Sequence, residues 1–315
     1  MPDEAPVERS GTPEQEAAAT LTPGEAAVTL TPAAADGGSQ TRPAAGSQLG
    51  AVRVLALAAA AALAVPYAAG IDHVRMNGGE FILQTQGWGI TSAMAALTKL
   101  GDDTFYIVAL PVLVMSIDYT RGVQGFTLFF AAVLLTSILK TLFHGPRPSW
   151  IEAEGLTCDF EYGMPSGHSV NAASTYLFAV YCIERSSWWT ATPRGCLALA
   201  ARAVAVLLFC AMGLSRVVVG AHYPHQVTAG LCIGAALFAA AVAAVESSRL
   251  RELLTTHVST AKGGAILGAL VGLIGLGLST VAFAVTAATF EFPPEWAERG
   301  AQARNGTCTD EEVDE

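Results

Sequence analysis

The chain has 315 residues, is 52% apolar and only 14% charged, and carries a formal net charge of −10. A soluble domain averages roughly 25% charged residues, so this chain cannot cover a water-exposed surface and an ordinary soluble enzyme is excluded. The acids sit at the ends: residues 1–50 hold seven against Arg9 and Arg42, residues 291–315 hold eight against Arg299 and Arg304, and the middle carries 13 Lys/Arg with 12 Asp/Glu. No basic face for nucleic acid is present, and the composition is that of a polytopic membrane protein.

Residues 1–50 are rich in Ala, Pro, Thr, Gly and Glu and contain no Cys and no aromatic residue. Such a stretch cannot bury enough surface to offset its ordering entropy, so it reads as a disordered acidic tail. Asp3, Glu4 and Glu8 stand where a secretory signal would be basic. Apolar runs near the length that crosses a bilayer, about 20 helical residues, follow at 51–70, 104–119, 125–143, 168–184, 198–219, 225–245 and 263–287. The fold class is therefore an all-α polytopic bundle of six to seven transmembrane helices, spanning 51–290, with its catalytic core built from spans three to six. Ile82 to Leu100 is too mixed to span and reads as interfacial. Gly264, Gly268 and Gly272, at four-residue steps in the last run, predict a close helix-packing face. Residues 291–315 form a second acidic tail.

An odd number of spans puts the tails on opposite sides, and the positive-inside rule selects the orientation. With the N-terminus cytoplasmic, ten of the 17 basic residues face the cytoplasm, from Arg9 and Arg121 to Lys262. Of the seven on the other side, Lys140, Arg147 and Arg216 belong to a site, so the contrast is ten against four. Cys158 and Cys308 then share the non-cytoplasmic side, where a disulfide is permitted. Cys182, Cys210 and Cys232 lie in spans, where a thiol acts as a small apolar group. Asn305-Gly306-Thr307 is a glycosylation acceptor if the chain enters a eukaryotic secretory membrane.

Ionisable residues at membrane depth are functional candidates. Three groups fall on the same non-cytoplasmic face, within residues 140–226: KTLFHGPRP, with Lys140 and Arg147; Pro165-Ser166-Gly167-His168; and SRVVVGAHYPHQ, with Arg216, His222 and Gln226. A single His or Arg at a helix end is usually a snorkelling or capping group. The three together, in order and on one face, point to a site. Two guanidinium forks and an ammonium suit a phosphate. Ser166 and the amides at Gly167 add donors at a helix N-terminus, and Gly167 admits a close backbone approach. Two histidines supply a nucleophile and a proton donor, so the chemistry reads as phosphoryl transfer. No acidic cluster of the kind that holds magnesium is evident, and no cofactor is called for. His144, His225 and His257 lack such support and read as polar loop or interface residues.

These three motifs resemble the signature of the type 2 phosphatidic acid phosphatase superfamily, which also contains vanadium haloperoxidases and glucose-6-phosphatase. The resemblance covers the motifs at 140–226 and the flanking spans from about 104 to 245. It implies that His222 forms a phosphohistidine, that His168 protonates the leaving oxygen, and that Lys140, Arg147, Ser166, Gly167 and Arg216 bind the phosphate, without a metal. One position departs from the family pattern: Gln226 stands where an Asp usually orients the nucleophile. At four residues beyond His222 on a helix start its side chain can still face the imidazole, and its carbonyl oxygen can fix the tautomer. A neutral amide stabilises an imidazolium less well, and the analogous Asp→Asn exchange in a serine-protease triad costs about 10⁴ in rate. HYPHQ is nevertheless similar to the His-Phe-Pro-His-Gln of the glucose-6-phosphatase branch.

LGDDTFYIVALPVLVMSID (100–118) and EYGMPSGH (161–168) resemble the branch acting on long-chain-base phosphates. A site opening toward a bilayer suits an amphiphile, and the acidic loop 152–161 repels free polyanions. The expected activity is hydrolysis of a lipid phosphate monoester, such as a sphingoid base phosphate or a phosphatidate-like lipid. A polyprenyl diphosphate and glucose-6-phosphate are the alternatives. The reading from a different class is a lipid-binding scaffold on a degenerate enzyme fold, which Gln226 alone favours. The expected setting is the endoplasmic reticulum or another endomembrane in a eukaryote and the plasma membrane in a bacterium, with the site on the non-cytoplasmic side.

Overall fold

The computed structural model describes residues 45–102, 104–108, 112, 119–151, 161–185, 195–249, 252, 261–296 and 298. Among these residues eight helices carry the architecture: α1 (Ala45–Ala68), α2 (Ile71–Gln86), α3 (Thr91–Thr98), α4 (Tyr119–Phe143), α5 (Gly167–Glu184), α6 (Gly195–Val218), α7 (Pro224–Glu246) and α8 (Ala261–Thr289). A 3-10 turn, Lys99–Gly101, follows α3, and a single helical turn, Pro148–Ile151, follows α4. The tail up to residue 44, most of 104–119, Glu152, Glu154, Cys158, Asp159, His257, Asn305 and Cys308 lie outside the described residues.

Helix α5 is the centre: α7 makes its most extensive packing against it, α4 and α6 flank it, α1 lies on α7, and α8 lies on α4. The sequence explains this placement. Ser169, Asn171, Ser174 and Thr175 on α5 are all buried, and a helix enclosed by other helices needs no apolar surface for lipid. The outer helices show the converse. Leu273, Ile274, Leu276 and Phe283 on α8 and Leu199 and Leu207 on α6 are each more than 60% exposed, an apolar surface suited to a bilayer.

Among the described residues four helical stretches are long and apolar enough to cross a membrane: Arg121–Ile151, Cys196–Val218, Pro224–Glu246 and Ala269–Thr289. Helices α1 and α2, bent by 100° at Gly70, meet the same criterion only as a pair, which counts as a fifth if the bent pair is one span; Gly70 takes φ 85, a left-handed value suited to glycine. Residues 168–184 form a helix as expected, yet are too polar to qualify. The stretch read as interfacial, Ile82 to Leu100, holds the end of α2, all of α3 and most of the 3-10 turn. Arg121, expected in a cytoplasmic loop, lies within α4 and donates to the Cys182 carbonyl at 3.0 Å.

Helices in lipid associate through close packing rather than hydrophobic burial, and among the described residues the closest such packing is on α7. A Cβ on Gly272 would meet nothing within 4 Å, and the surroundings of Gly264 and Gly268 lie outside the described residues. Gly230 and Gly234 on α7 form the tight seam: a Cβ there would come within 2.6 Å of the Ser166 carbonyl oxygen and 2.4 Å of the Val170 carbonyl oxygen. Val170, Ala132 and Ile233 then close the centre of the bundle.

Candidate active site

The site is assembled where α4, α5 and α6 meet the loops at one end of the bundle. Lys140 lies in the last turn of α4. The chain then turns through His144, at φ 33, into Gly145-Pro146-Arg147-Pro148. Gly145 lies against the loop before α5, where its carbonyl accepts from the Gly163 N–H at 2.7 Å. A Cβ on Gly145 would fall 2.8 Å from the Met164 Cβ, so only a glycine permits this approach. Arg147 is buried and ties three segments: its Nε donates to the Glu161 carbonyl at 2.7 Å and an Nη to the Ala221 carbonyl at 3.3 Å.

Ser166 is the N-cap of α5 and is fully buried. Its N–H donates to the Gln226 carbonyl at 3.1 Å, and its Oγ accepts from Ser169 at 3.0 Å. The Cβ position of Gly167 lies 4.0 Å from Lys140 Nζ, so the N-terminal end of α5 and the ammonium share one place. On the third side, α6 ends with Arg216, whose carbonyl accepts from both Ala221 N–H (3.0 Å) and His222 N–H (3.2 Å). Gly220, at φ 70, makes that reversal possible. Ser215 Oγ donates to the Met212 carbonyl at 2.7 Å, which leaves Thr98 to donate to Ser215 Oγ at 3.0 Å.

His222 is buried in the short loop between α6 and α7, and its tautomer follows from its partners. Nδ1 lies 2.9 Å from the Gly163 carbonyl oxygen and 3.2 Å from Gln226 Oε1. The orientation of the Gln226 amide is set independently. Its Nε2 lies 2.9 Å from the Pro146 carbonyl, which can only accept, and its Oε1 accepts from the Tyr223 N–H at 3.2 Å. Both neighbours of His222 Nδ1 are thus acceptors, so Nδ1 carries the hydrogen. The Nε2 lone pair then faces a guanidinium Nη of Arg147 at 3.4 Å. Burial pushes the imidazole well below its ordinary pKa, and the charges of Arg147, Arg216, Lys140 and His168 push the same way.

The cationic side of the pocket is not empty of anions. The Glu161 carboxylate pairs with Lys140 Nζ and lies 4.0 Å from Arg147 Nη. His168 is part-exposed, and its Nε2 lies 3.0 Å from Asp102 Oδ1. That contact holds the Asp102 carboxyl below its usual range.

The residues expected from the motifs, Lys140, Arg147, Ser166, Gly167, His168, Arg216, His222 and Gln226, therefore gather at one end of the bundle. Two other histidines stand apart: His144 stacks on Phe290, with centroids 3.8 Å apart, and His225 on Tyr223. Three contributors escaped the sequence reading. The Gly163 carbonyl left no side-chain signal at all. Glu161 was read as part of a repelling loop rather than as a partner of Lys140. Asp102 did leave one, because a carboxylate beside an apolar run invites the question asked of the basic residues.

Residues 123–249 match the PAP2 superfamily. The chain is 27% identical over 161 residues to phosphatidylglycerophosphatase B of Bacillus subtilis, covering 50% of this chain and 75% of that protein. It is 30% identical over 141 residues to glucose-6-phosphatase catalytic subunit 1 of Haplochromis nubilus, covering 37% of this chain but only 39% of that protein. It is 28% identical over 144 residues to a dihydrosphingosine 1-phosphate phosphatase of Schizosaccharomyces pombe, covering 44% of this chain and 34% of that one. The crystal structure of the Bacillus subtilis transmembrane PAP2-type phosphatidylglycerolphosphate phosphatase superposes with a TM-score of 0.54 at 21% identity, over 61% of this chain and 94% of that one, and shows the shared fold. The match at residues 123–249, the relatives and the shared fold all point one way, and the chain is similar to multi-pass membrane phosphatases of the PAP2 superfamily.

Proposed function

We propose that the chain hydrolyses a phosphate monoester of a membrane lipid, through a covalent intermediate on His222. The observation that carries this reading is the tautomer of His222. With Nδ1–H committed to Gly163 and Gln226, the unprotonated nitrogen is Nε2, next to Arg147. Burial and the surrounding cations keep the ring neutral at physiological pH, so the nucleophile needs no further base.

Lys140, Arg147 and Arg216 supply the charges for three phosphate oxygens, with the N-terminus of α5 at Ser166 and Gly167 adding donors. These groups stabilise the transferring phosphoryl group electrostatically, which is where most catalysis of this reaction comes from. His168 protonates the leaving oxygen and afterwards activates water against the phosphohistidine. The scheme uses no metal. The apolar exterior of the bundle suits a substrate whose hydrocarbon stays in lipid, in line with the two lipid phosphatases among the relatives. On the distribution of basic residues the site faces away from the cytoplasm.

The test is phosphate release by the purified protein from a long-chain-base phosphate, phosphatidate, a polyprenyl diphosphate and glucose-6-phosphate. A lipid monoester is expected to be preferred, with turnover blocked by vanadate, unaffected by EDTA and abolished in His222→Ala. Turnover of His222→Ala at the parental rate overturns the assignment of the nucleophile. Lipid binding without any turnover supports the scaffold reading instead.

A further inference from the structure

We propose that Asp102 is the positioning residue of His168: its carboxylate holds Nε2–H, so that the leaving-group proton is delivered from Nδ1. This rests on the phosphatase reading above. Asp102 is the residue immediately after the 3-10 turn Lys99–Gly101, and its Oδ1 is 3.0 Å from His168 Nε2. A carboxylate can only accept, which places a hydrogen on Nε2.

The turn is built to hold that carboxylate still. A Cβ on Gly101 would come within 2.7 Å of His168 Cδ2 and 2.6 Å of Met212 Sδ, so the turn's backbone lies directly against the edge of the ring. The Tyr176 hydroxyl on α5 donates to the Leu100 carbonyl at 2.9 Å, and Thr98 hydrogen-bonds to Ser215 on α6. The turn is thereby fastened to both helices that bring the motifs together.

In the reaction, the Nε2 lone pair of His222 forms a bond to phosphorus while the ester P–O bond breaks. The electron pair of that bond goes to the leaving oxygen, which takes the proton from His168 Nδ1. His168 then takes a proton from water as the water oxygen attacks phosphorus, and the P–N electrons return to His222 Nε2. The net change is monoester and water to alcohol and inorganic phosphate, and Asp102 stays a carboxylate throughout. Lys99 on the same turn and Arg216 on α6 act on Asp102, and His168 itself acts on His222, in the loop before α7, together with Arg147, Arg216 and Lys140. Cations there weaken the hold of His168 on its proton, and the carboxylate of Asp102 offsets them.

The experiment compares the parent with Asp102→Asn on two monoesters that differ in leaving group. p-Nitrophenyl phosphate releases a phenolate that needs no proton, whereas a long-chain alkyl phosphate releases an alkoxide that does. Asp102→Asn is expected to slow both, with kcat on the alkyl phosphate falling at least about tenfold more, within the range for general-acid assistance. The high-pH limb of kcat for the alkyl phosphate is expected to move to lower pH, and Asp102→Glu to restore part of the alkyl-to-aryl ratio. Unchanged equilibrium binding of vanadate checks that the variant's pocket is folded. Equal losses on the two substrates with an unmoved limb, or no loss on either, overturn the proposal while the parent remains an active phosphatase. A parent inactive on both substrates overturns the phosphatase reading itself, and this proposal with it.

Discussion

The Nδ1–H of His222 donates to the Gly163 carbonyl at 2.9 Å, a shorter contact than its 3.2 Å hydrogen bond to Gln226. A main-chain oxygen thus accepts from the imidazole alongside Gln226, and on the proposed mechanism a neutral amide at that position costs less than it would alone. The carbonyl is itself held in place, because the Gly163 N–H donates to the Gly145 carbonyl at 2.7 Å.

Replacing Gln226 by Leu removes one of the two acceptors and leaves the other. The expected loss in kcat is about ten- to a hundredfold, the worth of one hydrogen bond to a group that becomes charged. The variant should also melt earlier, since the Tyr223 N–H and the Pro146 carbonyl lose their partner. Steady-state kinetics and a thermal melt in detergent check both outcomes. A loss near 10⁴ would mean that Gln226 alone sets the tautomer.

Gly163→Ala tests the other acceptor. A Cβ there would lie 2.7 to 3.0 Å from the Gln226 amide, so either the loop or the amide must move. Overpacking of this kind costs roughly 1–3 kcal/mol, and kcat should fall because the carbonyl moves with the loop. Adding Gln226→Ala makes room and should recover part of the lost stability. A double variant no more stable than the sum of the singles removes steric conflict as the cause.

Glu161 pairs with Lys140, and on the proposed mechanism a substrate phosphate has to displace it. Glu161→Gln is therefore expected to tighten inhibition by vanadate or inorganic phosphate about two- to fivefold, as fits a solvent-exposed ion pair. The parent should approach the variant as salt is raised. Unchanged or weaker inhibition in Glu161→Gln removes the carboxylate as a competitor.

The packing seam makes a prediction that separates two similar sequence patterns. Gly234→Ala must push against the Val170 carbonyl of α5 and should lower the thermal midpoint and the activity together. Gly272→Ala meets nothing within 4 Å and should be neutral or slightly stabilising, because alanine favours a helix. Equal melting points for the two variants would place the tight seam elsewhere.

Much of this protein was legible one residue at a time. Long apolar runs with few charges allow little but membrane helices, and the ionisable groups that remain, Lys140, Arg147, His168, Arg216 and His222, stand out because charge in such a setting is costly. Helix α5 was harder to read. Its Ser and Asn residues weaken the membrane signal because neighbouring helices, not lipid, surround it, and enclosure is a property of the whole bundle. The tight seam at Gly230 and Gly234 was hidden for a related reason: spacing of four defines a face, but only the neighbour decides whether the face is used.

The sequence alone therefore determined the fold class, the end of the bundle that holds the site and the side chains that gather there, since each is written in local hydropathy or in a motif. Only the tertiary structure decided how His222 is oriented and what opposes the cations. The first depends on the Gly163 carbonyl, and main-chain atoms are the same in every residue. The second depends on Glu161 and Asp102, which reach Lys140 and His168 across 21 and 66 residues of chain, a separation that folding alone closes.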